Sequence, residues 1–406
     1  GTQPVEVLEI PQLQAPGEVV ASPLLPSFLH LPAEGELPPG STELPWGEPE
    51  REIVGEMARR RSSDVPDRVV HSAKSWLCHD GVDRRTPFLP RSPAELPRRV
   101  SPVEASAAYL AHLRQAWDHQ VARGRKKLTL AEQDLVVTVP ASFGEDARQL
   151  TAEGARLAGL ERVRLVEEPQ AAFYAWLARQ GADLDRALEG LRLILVVDVG
   201  GGTTDLSLIA VTEEAGDLAL TRVAVGDHIL LGGDNMDLTL ANVVRMRLAQ
   251  QGTKLDGWQF MELGHACRGA KERLLADPDV AEVPVAVTGR GSKLIGGTIR
   301  SAVTREEAER VLLDGFMPRI DVSARPKEAR ALGLAEWGLN YAADAAITSH
   351  LAAFLARHAG SLDGVPGPAA VASGAAGFAM PSAVLFNGGV FRSAQMRTRL
   401  MEVLNS

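Results

Sequence analysis

The stretch LRLILVVDVGGGTTDLSLIAV, Leu191 to Val211, decides how the rest of the chain is read. An almost unbroken apolar run reaches Asp198, passes through Gly200, Gly201 and Gly202, then Thr203 and Thr204, and leaves Asp205 as a second apolar run. The pattern predicts strand, tight turn, strand, with the first strand buried on both faces and glycines permitting a backbone path that a Cβ resists. Successive N–H groups in such a turn make a concavity that suits phosphate. Asp198 and Asp205 flank it and would repel a bare phosphate, so the simplest ligand is a nucleotide carrying a hard cation such as Mg2+. A Walker A loop needs Lys-Ser or Lys-Thr and a helix after its last glycine, whereas Thr203-Thr204-Asp205 leads into a strand. The dinucleotide fingerprint also needs a following helix and a different glycine spacing. An ordinary glycine-rich hairpin carries the same local pattern, so the decision falls to the rest of the chain.

At 406 residues the chain exceeds one typical domain, which predicts two lobes. A net charge of -9 argues against a nucleic-acid or anionic-membrane surface, since binding phosphate backbones takes clustered Lys and Arg. Short basic groups, Arg59-Arg60-Arg61 and Arg123 to Lys127, read as solvated helix ends or loops. The two cysteines, Cys78 and Cys267, have no metal spacing and point to a reducing compartment, so the expected location is the cytoplasm. No apolar run approaches the roughly 20 residues that span a bilayer, and the N-terminus has no signal-peptide pattern.

Residues 1–102 hold most of the prolines and predict short strands and wrapped loops. Ser101-Pro102-Val103-Glu104 is a capping box for a helix ending near Gly124, and Asp134 to Pro140 a short strand. Ser142-Phe143-Gly144-Glu145 offers a second capping box, for a helix closed by Gly159. Arg162 to Val166 is a strand, and Glu167-Glu168-Pro169-Gln170 opens an Ala-rich helix, so strands and helices alternate as in an α/β lobe. Further on, the sequence predicts a strand over Leu218 to Val225 and a helix from Gly232-Gly233-Asp234 to Gln250. A helix over Glu262 to Ala276 and paired strands over Val280 to Val287 and Leu294 to Ile299 follow, then a helix capped at Thr304. Residues 318–345 read as an irregular connection and 360–377 as a Gly-, Ala- and Pro-rich loop. A strand over Ala383 to Phe386, a turn at Asn387-Gly388-Gly389 and a helix from Ser393 complete the pattern.

Four segments, DLVVTVPASFGEDARQLTAEGARLAGL, VRLVEEPQAAFYAW, LILVVDVGGGTTDLSL and LGGDNMD, in this order and spacing, resemble the nucleotide-binding domain of the heat-shock 70 kDa chaperones. The likeness runs from about residue 20 to the end. It implies an α/β, two-lobed actin-like ATPase fold, with ribonuclease-H-like lobes at 1–188 and 189–406 around a nucleotide cleft. The implied cofactors are ATP or ADP with Mg2+. Asp198, Asp205 and Glu168 correspond to carboxylates that hold the metal through water, and Gly200, Gly201, Gly202, Thr203 and Thr204 to the second phosphate loop. Glu168 also reads as a helix-start carboxylate favoured by the macrodipole. Lys74, in HSAKSWL, resembles the family's catalytic lysine, whose charge would help position the attacking water beside the γ-phosphate. Gly232, Gly233 and Asp234 match the loop contacting phosphate and ribose, while Gly388, Gly389 and Arg392 match the late loop against which adenosine rests.

The helix ACRGAKERLL resembles the adenosine-clamping helix, with Lys271 at the family's Lys, Arg268 where a Glu usually meets ribose, and Glu272 where an Arg often lies against adenine. The exchanged charges imply a rearranged clamp or an altered base preference. The family's first phosphate hairpin, of the type Asp-Leu-Gly-Thr-Thr, has no counterpart in this sequence. Together with a start at Gly1-Thr2 and a stop soon after Leu404, this leads us to expect a fragment of a longer, divergent bacterial-type protein with weak nucleotide binding and little hydrolysis. The leading function is an ATP-hydrolysing chaperone domain that serves client proteins through a C-terminal module outside this stretch, with a co-chaperone or exchange factor as a further partner. Alternatives are a nucleotide-binding scaffold acting by protein contacts without turnover, and a metabolite kinase of the same superfamily, in which Asp205 would act on a substrate hydroxyl.

Overall fold

The computed structural model describes residues 5–47, 52–79, 81–92, 96–214, 217–289, 297–327, 342–362 and 377–406. Much of the expected connection at 318–345 and of the loop at 360–377 therefore lies outside the described residues. The chain forms two compact units, one ending at Val139 and resuming over Phe143–Val166, the other made of Pro140–Ser142 and Glu167–Ser406. The resemblance instead implies a division after residue 188.

In the first unit β1 (Ile10–Ala15) and β2 (Glu18–Ser22) form a hairpin whose turn uses Gly17 at φ 75. The two-residue strands β3 (Leu29–His30) and β4 (Ile53–Val54), helix α1 (Glu56–Asp64) and strand β5 (Val69–Val70) follow, the strands paired in the order β4-β3-β5. Such short elements are what a proline-dense segment permits. After α2 (Ala73–Leu77) comes α3 (Pro102–Trp117), whose capping box forms as the sequence predicts. The Ser101 hydroxyl accepts from Glu104 N at 3.1 Å and the Glu104 carboxylate accepts from Ser101 N at 2.7 Å. A π-helical turn, Asp118–Ala122, extends α3 and ends on Arg123 and Gly124, both at positive φ.

Strand β6 (Leu135–Val139) pairs with β7 (Val163–Glu167), and α4 (Glu145–Leu157) lies between them in sequence. The second expected capping box does not form. Gly144 is the N-cap of α4, without a side-chain cap, and Ser142 is engaged elsewhere.

The second unit opens with α5 (Glu168–Gln180) and the short α6 (Leu184–Leu188), followed by β8 (Leu193–Val199), β9 (Thr204–Glu214) and β10 (Asp217–Val225). Helix α7 (Gly233–Gln250) precedes α8 (Gly257–Ala276). The latter starts five residues earlier than the sequence predicts, because Asp256 and Gln259 form a capping box. Strands β11 (Glu282–Thr288) and β12 (Thr298–Thr304) pair antiparallel, so the second strand runs later than Leu294 to Ile299, and residues 290–296 lie outside the described residues. Thr304 caps α9 (Arg305–Glu309) as expected, and α10 (Ile347–Arg357), β13 (Ala383–Asn387) and α11 (Ala394–Leu404) complete the unit.

The main sheet has the order β10-β9-β8-β13, an antiparallel meander with β13 added parallel to β8. Leu193, Leu195, Val197 and Val199 pack into a core shared with Met236, Leu240 and Val244 of α7 and with Leu263 and Cys267 of α8. Their neighbours Ile194 and Val196 pack with Phe173 of α5, Ile209 and Val211 in a separate core. The period of two therefore puts one apolar set on each face, which is why the run from Leu193 needs no polar alternation. Each such side chain contributes roughly 1.5–3 kcal/mol by burial.

Candidate functional site

The β8–β9 turn is built from its own polar groups outward. Gly200 N donates to Thr203 O at 2.9 Å and closes it. Thr204 is fully buried; its N–H donates to Ile229 O at 2.9 Å and its hydroxyl to Leu231 O at 2.7 Å. Thr204 thus fastens the 229–231 segment to the start of β9. Among the described residues, the amides of Gly201, Gly202 and Thr203 donate to no protein acceptor. They form a donor set of the kind that holds phosphate oxygens.

The second glycine loop braces this turn. Gly233 N donates to Gly200 O at 3.0 Å and Asp234 N to Gly201 O at 2.7 Å. A Cβ on Gly232 would stand 2.6 Å from Gly201 O, so only glycine permits the approach. The amides of residues 233 and 234 are therefore spent on bracing the turn.

Asp198 and Asp205 are directly opposed across the β8–β9 ladder, and Asn387 is opposed to Asp198 across β13. Opposed carboxylates repel at this spacing unless other groups hold them. Asn387 Nδ2 donates to Asp198 Oδ2 at 2.7 Å, and Ser142 Oγ donates to Asp205 Oδ1 at 2.5 Å. His228 Nδ1 stands 3.1 Å from the same Asp205 oxygen and 3.0 Å from Ser142 Oγ. Gly388, at φ +85, packs against the end of β8, where a Cβ would meet Val199 O at 2.2 Å. Gly389 opens a 3-10 turn that carries the exposed Arg392. Glu168 is the half-buried first residue of α5, next to Glu167, which takes an ion pair from Arg222.

Arg268 and Lys271, one turn apart on α8, face two aspartates one turn apart on α7. Arg268 pairs with Asp234 and, at 2.9 Å, with Asp237 Oδ2, while Lys271 Nζ lies 2.6 Å from Asp237 Oδ1 and donates to Gly233 O at 3.0 Å. Burial pushes the Asp237 carboxyl above its usual range, against the pull of Lys271 and Arg268. The two cations predicted to meet adenosine thus already hold α7, and through Gly233 the glycine loop, in place. Lys74 belongs to the first unit and is exposed as the second residue of α2, whose N-cap, Ser72, has φ 57.

The structure brings Asp198, Gly200 to Asp205, Gly232 to Asp234, Arg268, Lys271, Gly388 and Gly389 into one connected region of the second unit. It also adds Asp237, Asn387, Ser142 and His228 to that region. Asp237 was visible as the second member of an i, i+3 pair matching Arg268 and Lys271. Asn387 carries only a turn signal in the sequence. Ser142 has the sequence context of a helix cap and His228 no local signature, since nothing nearby in sequence ties either to Asp205.

A glycine turn with unspent amides, two opposed carboxylates and a third glycine loop at the carboxyl ends of parallel strands together mark an α/β unit of the actin-like ATPase class. Comparison with known proteins places the chain more narrowly. The family model "Hsp70 protein" matches residues 48–317, and the chain belongs to that family. The chaperone protein HscA homolog of Pseudomonas aeruginosa strain PAO1 is 34% identical over 267 residues, covering 62% of this chain and 39% of that protein. The chaperone protein HscA of Cronobacter sakazakii is 32% identical over 268 residues, covering 65% and 39%. An HscA homolog of Burkholderia pseudomallei strain 668 is 39% identical over 196 residues, covering 48% and 28%. The chain spans about two-fifths of the length of the first two relatives. It is a divergent bacterial-type Hsp70 nucleotide-binding domain.

Proposed function

We propose that this chain binds ATP and ADP together with Mg2+ at the β8–β9 turn, and that the complete protein hydrolyses ATP to drive the handling of client proteins. The observation that carries the reading is the set of three unspent amides, Gly201, Gly202 and Thr203, beside the opposed Asp198 and Asp205. Two carboxylates beside a phosphate cradle are the oxygen donors that a small hard cation accepts when it arrives with a nucleotide, so the residues present fit Mg2+. Asp198, Asp205 and Glu168 would hold it through water, and it would neutralise charge on the phosphates.

The three amides would donate to phosphate oxygens already aligned, with no reorganisation when charge builds up. Gly388, Gly389 and Arg392 on one side and α8 on the other would flank adenosine. Lys74 would place a positive charge beside the γ-phosphate. Its replacement by Ala is expected to lower turnover by two orders of magnitude or more with little change in nucleotide affinity, measured by single-turnover hydrolysis and by titration.

Calorimetric titration with ATP and ADP, each with and without Mg2+, tests the binding step. Binding that strengthens with Mg2+ supports it, and no binding to the complete protein overturns it. A second reading, a scaffold that holds nucleotide without turnover, draws on the ion cluster, because Arg268 and Lys271 are already engaged by Asp234 and Asp237. Tight Mg2+-dependent binding with no phosphate release would favour it. Cytoplasmic location and service by a co-chaperone or exchange factor belong to the same proposal; among the described residues no helix is long and apolar enough to cross a membrane.

A further inference from the structure

We infer that Ser142 and His228 are positioning residues that fix the Asp205 carboxylate for Mg2+, and so set how strongly the metal tightens nucleotide binding. The inference rests on the reading of Asp205 as a metal-facing carboxylate.

Three polar groups from three separate segments meet at one oxygen. Ser142 comes from the β6–α4 connection, where the second unit takes up Pro140–Ser142, Asp205 from the start of β9, and His228 from the segment after β10. The Asp205 side chain is 9% exposed and that of His228 13%, so water competes little for these bonds. Proton counting fixes the roles. Ser142 has one proton and gives it to Asp205 Oδ1 at 2.5 Å. His228 Nδ1 lies within 3.1 Å of that carboxylate oxygen and 3.0 Å of the serine oxygen, both rich in lone pairs. A bare Nδ1 would set three acceptors around a single proton, whereas an Nδ1–H donates into both oxygens and satisfies the cluster.

With Oδ1 held from two sides, the carboxylate has one rotamer, opposite an Asp198 that Asn387 holds in the same way. A carboxylate fixed before the ion arrives loses no freedom on binding, and loss of such supporting bonds typically weakens metal binding about 10–100-fold. His228 is therefore not a ligand, and Ser142 is not a helix cap.

The test is calorimetric titration of the protein with ADP, in EDTA and in millimolar Mg2+, the readout being the ratio of the two affinities. Ser142→Ala and His228→Gln should each reduce that ratio about tenfold while leaving metal-free ADP affinity unchanged, and Ser142→Thr, which keeps the hydroxyl, should restore it. A wild-type ratio in Ser142→Ala alongside a lost ratio in Asp205→Asn overturns this inference and leaves the proposed function standing. A wild-type ratio in Asp205→Asn overturns the metal-facing reading of Asp205 and the inference with it. Nitrogen-15 NMR of the unmodified protein adds a check that needs no variant to fold: His228 should be the Nδ1–H tautomer, and an Nε2–H tautomer overturns the hydrogen-bond assignment.

Discussion

At the scale of single residues, glycines show how little room the site leaves. Gly388→Ala combines a positive φ with a Cβ 2.2 Å from Val199 O, so the end of β8 would have to move. We expect it to cost about 2 kcal/mol or more in chemical unfolding. Gly17→Ala, also at positive φ but with nothing within 4 Å, should cost about 1 kcal/mol and serves as the control. His30 is a different case. It is fully buried beside Glu36, Arg61 and Arg68, and burial lowers its pKa from the ordinary 6.5 to about 4. Between those values the unfolded chain takes up a proton that the folded chain refuses. Stability is therefore full above pH 6.5 and falls as the pH drops towards 4, by about 3 kcal/mol. Burial lowers His112 in the same direction. Urea titrations at pH 7.5 and 5 should show the loss, and His30→Gln should flatten most of it; an equally steep loss in that variant would assign it to other groups.

At the scale of elements, α5 decides where the second unit begins. Phe173 is 2% exposed and packs against Ile194, Val196, Ile209 and Val211. Phe173→Ala should therefore cost about 3–5 kcal/mol, lost from the main sheet. Hydrogen exchange read strand by strand should show the loosening on β8 and β9, and a loss confined to β6 and β7 would contradict the packing. The α3 capping box offers a smaller test. Ser101→Ala should cost about 1 kcal/mol, whereas Ser142→Ala, despite its similar sequence context, should leave α4 intact.

At the scale of the whole molecule, a ligand that binds only the folded state stabilises it by mass action. ADP with Mg2+ at about 100 times its dissociation constant should add about 2.7 kcal/mol to the unfolding free energy of whatever unfolds with the site. All but Lys74 of the expected site residues lie in the second unit, so protection should concentrate at 198–205, 232–237 and 387–389. Protection confined to the first unit would move the site elsewhere.

Much of this protein was readable from one dimension because its information is local. The apolar run into Asp198, the glycine turn, the Ser101 and Thr304 caps and the strand ahead of Asn387 follow from periodicity and from backbone chemistry that neighbours in sequence supply. The motif order carried the family, which the family match bears out. Only tertiary structure decided how the polar side chains are spent. Ser142 has the sequence of a helix cap and serves Asp205, 63 residues away, while His228 had no local signature at all. Arg268 and Lys271 were expected to meet a nucleotide and are engaged by Asp234 and Asp237, and the glycine-loop amides are spent on the turn they brace. The physical reason is the same throughout. Backbone conformation answers to the next few residues, but a buried donor or charge must find its partner wherever the fold brings one within about 3 Å, and sequence spacing does not encode that distance.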